Sequence, residues 1–158
     1  MLYDRIMVPY DGSPSARAAL DEAVRFARED PGLTLHIVHL ADISSSVAAK
    51  LDERGEGTPL PASDKMLALR EEASTEAAIA VRKSVDPVTK GLMNEVIIEV
   101  VEATSPGEQI VAYADEHVCD LIIMGSRGLG ALRGMLGSVS SYVLRESRIP
   151  VMIVKNRD

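Results

Sequence analysis

Apolar positions along the chain follow two alternating periods. Short runs rich in Val, Ile and Leu predict buried strands. Between them lie longer segments in which apolar residues recur every three or four positions, which predict amphipathic helices. Because helical segments separate the strands, we predict parallel strands that are joined by crossovers. The predicted strands cover residues 5–9, 33–40, 94–103, 121–124 and 151–154.

Serines mark the predicted helix starts. Ser13 is predicted to cap the first helix, with Pro14 at the first helical position. The run Ser105-Pro106-Gly107-Glu108 predicts a capping box, in which a serine and a glutamate three residues later satisfy each other's backbone N–H groups. Ser138 is predicted to cap the last helix, whose apolar residues follow at helical spacing.

Residues 41–63 interrupt this alternation. The segment contains Ser44-Ser45-Ser46 and a polar run over 52–59 with glycines and a proline, so it has little to bury. A connection of this length is typical of a lid or of a disordered segment, and the residues leave both open. We predict a flexible insert, with a short helix near 47–51, inside a single domain that spans residues 1–158. The helical pattern resumes at Lys65 as a long amphipathic helix.

Composition and charge exclude several classes of protein. The chain has 158 residues, 46% of them hydrophobic and 26% charged, as expected of one globular domain. Its net charge of −7 argues against a nucleic-acid partner, because that binding is driven by Lys and Arg. No apolar run approaches the roughly 18 residues of a membrane span, so we predict no membrane partner. The start of the chain lacks a signal-peptide pattern and Cys119 is the only cysteine, and both features favour the cytoplasm.

The stretch from Gly125 to Ser140 follows directly on the predicted strand 121–124. Its glycines let backbone N–H groups approach a ligand closely, and the helix start at its end offers N–H groups and a positive dipole end. Such a combination is typical of an anion site, with phosphate as the natural ligand. In parallel α/β sheets, ligands bind beyond the carboxyl ends of strands, where the strand order reverses. If the first and fourth strands are neighbours, Asp11 lines the same crevice.

Other kinds of site find little support in the residues. A P-loop is excluded because no Gly-Lys-Ser/Thr occurs. His36 and His39 lie three apart on a strand and face opposite sides, so they cannot hold a metal together, and His117 ends a helix. We predict structural roles for all three histidines and treat Cys119 as a small hydrophobic residue. No spacing suggests a Ser-His-Asp arrangement.

The sequence resembles the nucleotide-binding branch of the universal stress protein family over nearly its whole length. The family's signature is Gly, two residues, Gly, nine residues, Gly and then Ser or Thr. It corresponds here to Gly125, Gly128, Gly137 and Ser138, with residues 129–136 leaving one residue fewer in the longer gap. Either the glycines absorb this deletion and both anchors keep their places, which we favour, or Ser138 shifts relative to Gly125. Further matching segments are 8–13, 35–37, 105–107, 120–128 and 150–154.

The resemblance implies a doubly wound, Rossmann-like α/β fold of the adenine nucleotide alpha hydrolase type. It implies a five-stranded parallel sheet of order 3-2-1-4-5 with helices on both faces, and a homodimer formed through the strand Val151–Val154. It also implies ATP as the ligand, and Asp11 is a candidate contact for Mg²⁺. Residues implied to border adenine and ribose are Pro9, Asp11 and Ile37. Those implied to hold ribose and phosphates are Gly125, Ser126, Arg127, Gly128, Leu129, Gly130, Ala131, Gly137, Ser138, Val139 and Ser140.

The expected function is therefore that of an ATP-binding regulatory or signalling protein of the stress response, with little or no turnover. Efficient phosphoryl transfer needs a positioned cation, a metal seat and a water-orienting group, and no base is evident in the sequence. Three alternatives stay open: a slow ATP hydrolase that uses the same crevice, a dimeric stress protein that binds no nucleotide and, more distantly, a receiver-type signalling domain.

Overall fold

The computed structural model of the protein describes residues 2–55, 59–127 and 135–156. In these ranges, strands and helices alternate along the chain as predicted. The strands are β1 (Arg5–Pro9), β2 (Thr34–Ala41), β3 (Val96–Glu102), β4 (Leu121–Gly125) and β5 (Val151–Val154). The helices are α1 (Pro14–Glu29), α2 (Ile43–Asp52), α3 (Ser63–Thr89), α4 (Pro106–Glu116) and α5 (Ser138–Glu146).

The strands form one parallel sheet of order β3-β2-β1-β4-β5, which confirms the predicted order. β1 lies at its centre, where Met7 pairs with His36 of β2 on one side and with Ile122 of β4 on the other. After β1, the chain adds β2 and then β3 on one side of the sheet. It then crosses through α4 to β4, so the strand order reverses between β1 and β4.

Alternate residues of each strand supply two cores, one on each face of the sheet. Ile6 and Val8 of β1 pack with residues of α1 and α3, whereas Met7 between them packs with residues of α4 and α5. All three side chains are fully buried. This explains why the central strands read as continuous apolar runs, because both of their faces are covered.

The helix caps confirm one prediction and correct two. Ser13 caps α1 by accepting a hydrogen bond from the N–H of Ala16 at 3.2 Å. The capping box predicted at Ser105 is wrong: Ser105 is the N-cap of α4, but its side chain makes no capping hydrogen bond. Gln109 Oε1 instead accepts from the N–H groups of Thr104 and Ser105, at 2.9 and 3.1 Å.

The cap of α5 lies one residue earlier than predicted. The carbonyl of Gly137 accepts from the N–H of Ser141 at 2.9 Å, so Gly137 is the N-cap and Ser138 is the first helical residue. Ser138 therefore cannot cap the helix, because the residue that accepts the first helical hydrogen bond defines the cap. Its N–H group still belongs to the first turn.

The first half of segment 41–63 is a packed helix, α2, which begins before the short helix predicted at 47–51. Asp42 caps it by accepting from the N–H of Ser45 at 3.0 Å. Val47 of α2 packs against Ala73 of α3, so this helix has a core of its own. Flexibility of the insert and the single-domain extent of 1–158 stay predictions. None of the helices in the described ranges is long and apolar enough to cross a membrane.

Candidate functional site

A cleft of about 570 Å³ opens at the carboxyl ends of β1 and β4, where the strand order reverses. It lies on the face of the sheet that α4 and α5 cover. Its lining combines apolar side chains with the exits of β1 and β4 and the start of α5. The described lining residues are Pro9, Tyr10, Asp11, Ala16, Val38, Leu40, Pro106, Ile110, Met124, Gly125, Arg127, Met135, Leu136, Gly137, Ser138, Val139 and Ser140.

The apolar wall of the cleft consists of Val38, Leu40, Ile110, Met124 and Val139. Val38 and Leu40 lie two apart on β2 and therefore face the same side of the sheet. Ile110 projects from α4 onto the same face, beside Met124 of β4. A wall of this kind suits a flat, apolar ligand group.

Hydrogen bonds from neighbouring elements hold the residues that follow β1 in place. The N–H of Tyr10 donates to the carbonyl of Val38 at 2.9 Å, and the carbonyl of Tyr10 lies 2.7 Å from His39 Nδ1. The hydroxyl of Tyr10 is 2.5 Å from Ser84 Oγ of α3. Asp11 then accepts at Oδ1 from the N–H of Ser13 at 2.9 Å, which fixes its carboxylate at the mouth of the cleft.

The exit of β4 and the start of α5 are joined through Ser126. Its N–H donates to the carbonyl of Val154 at 2.9 Å, and its carbonyl accepts from the N–H of Gly137 at 2.8 Å. The hydroxyl of Ser140 donates to the same carbonyl at 2.9 Å. Both ends of the glycine-rich stretch are thereby held together, and Gly125 and Ser138 line one cleft. That both anchors keep the family's positions despite the shorter loop stays a prediction.

The first turn of α5, with Ser138, Val139 and Ser140, lines the same cleft as Asp11 and Arg127. An α-helix leaves these N–H groups without partners inside the helix and carries a partial positive charge there. Ser138 is exposed and Val139 half-buried, while the buried hydroxyl of Ser140 donates to protein carbonyls. Ser140 can therefore serve an anion through its N–H group rather than through its side chain.

Arg127 is the one cationic residue among the described residues that line the cleft, and Asp11 is the one anionic residue. The guanidinium of Arg127 is half-buried, and its Nη2 donates to Asn156 Oδ1 at 3.3 Å. This bond anchors the side chain to the segment after β5. The polar part of the cleft lining thus combines one anchored positive charge with the N–H groups of a helix start.

Eight of the predicted site residues line this one cleft, and two do not. Ile37 is fully buried in the core on the α1 and α3 face, so the apolar wall comes from its neighbour Val38. Ser126 is buried and does not line the cleft, and its backbone groups bond Val154 and Gly137. Gly128, Leu129, Gly130 and Ala131 lie outside the described residues. The eight that line the cleft are Pro9, Asp11, Gly125, Arg127, Gly137, Ser138, Val139 and Ser140.

The sequence-based prediction missed the contribution of α4 and most of β2. Pro106 and Ile110 line the cleft because α4 begins beside the carboxyl ends of the strands. The two-residue period of β2 was the signal that could have grouped Val38 with Leu40 and set Ile37 apart. No described residue of segment 41–63 lines the cleft, so the structure gives a lid role for that segment no support.

None of the three histidines lines the cleft, and each has a structural partner, which for His39 is the Tyr10 carbonyl described above. Nδ1 of His36 lies 3.1 Å from the Tyr113 hydroxyl, and the Tyr113 ring stacks on His117 with centroids 3.8 Å apart. Nδ1 of His117 donates to the Tyr113 carbonyl at 2.9 Å. Burial, and then the nearby His117, lower the pKa of His36. Burial also raises the pKa of Tyr113 well above its usual value.

Neither a metal cluster nor a reactive thiol is found in the described ranges. No group of three or more His, Cys, Asp or Glu side chains there is arranged to hold a metal ion. Cys119 is buried, and that burial raises the pKa of its thiol to about 11. Since the thiolate is the nucleophile, this cysteine is unreactive at neutral pH.

A doubly wound parallel sheet with a cleft at its switch point places the chain among the α/β folds in which ligands typically bind at the carboxyl ends of the strands. The chain belongs to the universal stress protein family, whose sequence profile matches residues 2–155. It is 30% identical over 156 residues to universal stress protein MJ0531 of Methanocaldococcus jannaschii, covering 98% of this chain and 83% of that protein. It is also 30% identical over 156 residues to universal stress protein YxiE of Bacillus subtilis, covering 98% and 100%.

Solved structures of the same family share the fold. Universal stress protein UspA from Lactobacillus plantarum superposes with a TM-score of 0.71 at 26% identity, over 96% of this chain and 97% of its own. A universal stress protein in complex with cAMP gives 0.57 at 25% identity, over 98% of each chain. The universal stress protein from Archaeoglobus fulgidus in complex with dAMP gives 0.54 at 25% identity, over 98% and 100%.

Proposed function

We propose that the protein binds an adenine nucleotide, ATP by preference, in the cleft between β1 and β4, and that it acts as a regulatory or signalling protein of the stress response. The observation that carries this proposal is the meeting, in one cleft, of an apolar wall with a helix start and a cation. The cAMP and dAMP complexes of two family members support adenine as the base.

The apolar and the polar parts of the cleft lining suit the base and the phosphates of a nucleotide, respectively. The apolar wall, which includes Val38 and Ile110, would hold the base. The phosphates would lie at the start of α5, where the N–H groups of Ser138 and Val139 and the guanidinium of Arg127 are attractive to anions. Of the described residues there, Asp11 offers the carboxylate for Mg²⁺, an ion typically bound by one or two carboxylates together with phosphate oxygens.

Little or no turnover is expected from this site. Asp11 is the only carboxylate among the described lining residues, and one of its oxygens already accepts from Ser13. A group that would both hold Mg²⁺ and orient a water would have to be this same side chain. The alternative is a slow ATP hydrolase, which steady ADP production that is lost in an Asp11→Ala variant would support.

The first test is whether the purified protein carries or binds ATP. We expect acid denaturation to release adenine nucleotide, and calorimetric titration of the nucleotide-free protein to show binding of ATP with Mg²⁺. Ser138→Asp places a negative charge at the start of α5, where it favours the helix but repels phosphates. We expect it to weaken ATP binding by at least about tenfold, a cost of about 1.4 kcal/mol.

Ser63→Asp is the matched control, because Ser63 is the exposed first residue of α3 and does not line the cleft. It should leave ATP affinity unchanged. A protein that binds no ATP at millimolar concentration with Mg²⁺ would contradict the proposal and leave the dimeric, nucleotide-free alternative.

We further propose a homodimer through β5. This strand lies at the edge of the sheet, and its four apolar side chains are half-buried in the single chain. The carbonyls of Pro150 and Val154 accept from the N–H groups of Ile122 in β4 and of Ser126 just after it. The backbone groups of Val151 and Ile153 therefore point outward, where a second copy could pair. Light scattering at micromolar concentration should give the mass of a dimer, and Ile153→Pro, which removes an outward N–H group, should give a monomer. A wild-type monomer would refute this assembly.

The cytoplasm is the proposed location. The one cysteine of the chain is buried in a core and needs no oxidising compartment.

A further inference from the structure

The first turn of α1 contains a buried serine that the binding site does not explain. Ser15 is 3% exposed and does not line the cleft. It is not the helix cap either, since Ser13 has that role. A buried hydroxyl needs hydrogen-bond partners, and those of Ser15 lie more than a hundred residues away along the chain.

Both partners of Ser15 belong to the backbone of Arg127, where the chain leaves β4. The Ser15 hydroxyl donates to the carbonyl of Arg127 and accepts from its N–H at 3.4 Å. Ser13 Oγ also reaches the Arg127 carbonyl, at 3.4 Å. The start of α1 therefore holds the residue with which the glycine-rich stretch departs from the sheet.

Gly125 makes this contact possible. A Cβ at this position would lie 2.5 Å from Ser15 Oγ and 2.8 Å from the backbone nitrogen of Ala16. Glycine thus lets β4 approach α1 closely enough for the Ser15 hydroxyl to reach Arg127. On the other side, Ser126 is joined to Gly137 and Ser140 of the α5 start.

We propose that Ser15 is a positioning residue for the phosphate end of the cleft. It holds the backbone of Arg127, and through Ser126 the start of α5, in the arrangement that receives phosphates, without touching the ligand itself. The inference rests on the proposed nucleotide function. Because the Ser15 hydroxyl bonds the backbone of Arg127 and not a residue of the apolar wall, we expect its loss to affect phosphate binding and to leave binding of the base unaffected.

Calorimetric titration of the full chain with ATP and with adenosine tests this role. In Ser15→Ala we expect ATP affinity to fall about tenfold, from the loss of the two hydrogen bonds, and adenosine affinity to change by less than about twofold. A loss of general stability alone would not separate the two ligands. Ser46→Ala is the matched control, because the exposed Ser46 hydroxyl also donates to a backbone carbonyl, that of Asp42 at 3.1 Å, outside the cleft. It should change neither affinity.

Amide hydrogen exchange of Arg127, measured by NMR without ligand, gives an independent readout. We expect exchange at least about tenfold faster in Ser15→Ala than in the wild type or in Ser46→Ala, because the amide loses its acceptor. Equal weakening of ATP and adenosine, unchanged ATP affinity, or unchanged Arg127 exchange would overturn the proposal. A wild-type chain that binds neither ligand would refute the proposed function, and exchange at Arg127 would then decide whether Ser15 holds the loop.

Discussion

Replacement of Gly125 by alanine is a direct test of how closely β4 approaches α1. The added Cβ would lie 2.5 Å from Ser15 Oγ, 2.7 Å from the Ser15 carbonyl carbon and 2.8 Å from the Ala16 nitrogen. Two of these atoms are backbone, so no side-chain rotation can relieve the contact, and the start of α1 must move. Insertion of a methyl group into a well-packed interior typically costs about 1–3 kcal/mol, and we expect Gly125→Ala to destabilise the protein by that amount.

Gly137→Ala is the matched control on the other side of Ser126. A Cβ there would meet Ser140 Oγ at 3.4 Å and the nearest backbone atoms at 3.5 Å, which is ordinary contact. The backbone of Gly137 has φ −65°, which alanine adopts readily, so the two effects of the change, a weaker cap and a stiffer unfolded chain, oppose each other. We expect a net change within about 0.5 kcal/mol.

Urea denaturation followed by circular dichroism measures both variants at the same pH and salt. Gly125→Ala should lower the transition midpoint with little change in the m-value, which would identify a loss of native stability. If Gly125→Ala and Gly137→Ala unfold with free energies within about 0.5 kcal/mol of each other, the inferred close approach of β4 and α1 is wrong.

Three further predictions concern the stability of the fold. Val118 follows α4 with φ 52° and is 69% exposed. Its N–H donates to the carbonyl of Asp115 and the N–H of Cys119 donates to that of Ala114, a helix ending that favours glycine. Val118→Gly should therefore raise the free energy of unfolding by about 0.5–1 kcal/mol, and a fall would contradict the assigned strain. Because the pKa of His36 is lowered in the folded protein, the unfolded chain binds more protons than the folded one below about pH 6.5. The free energy of unfolding should therefore fall from pH 7.5 to pH 5.5. A His36→Gln variant with the same dependence on pH would refute this origin. Tyr10→Phe removes the hydrogen bond to Ser84 and should destabilise the protein by about 1 kcal/mol, measured by thermal denaturation. Tyr142→Phe, at a half-buried position of α5, is the control and should be near neutral in the same measurement.

Much of this architecture follows from local signals in the chain. The two-residue and three-to-four-residue periods identify the strands and helices, because a buried face imposes its own spacing on the residues that form it. Ser13 and Pro14 mark the start of α1, and the glycine-rich stretch after β4 marks the region of the cleft. Resemblance to a family then supplied the strand order, which periodicity alone does not contain.

Other features of the protein were decided only by the tertiary structure, because they depend on contacts between segments that are distant in the sequence. Whether Ile37 or Val38 faces the cleft depends on which side of the sheet α4 and α5 cover, and that is set by the crossovers rather than by β2. Segment 41–63 contains α2 because Val47 packs in one cluster with Ala73 of α3. The local pattern of the sequence does not show this partner. Ser15 looks like any polar residue in a first helical turn, and only the close approach of Gly125 gives its hydroxyl the backbone of Arg127 as a partner. A sequence determines local periods and caps, but hydrogen bonds across more than a hundred residues exist only once the sheet has brought the strand ends together.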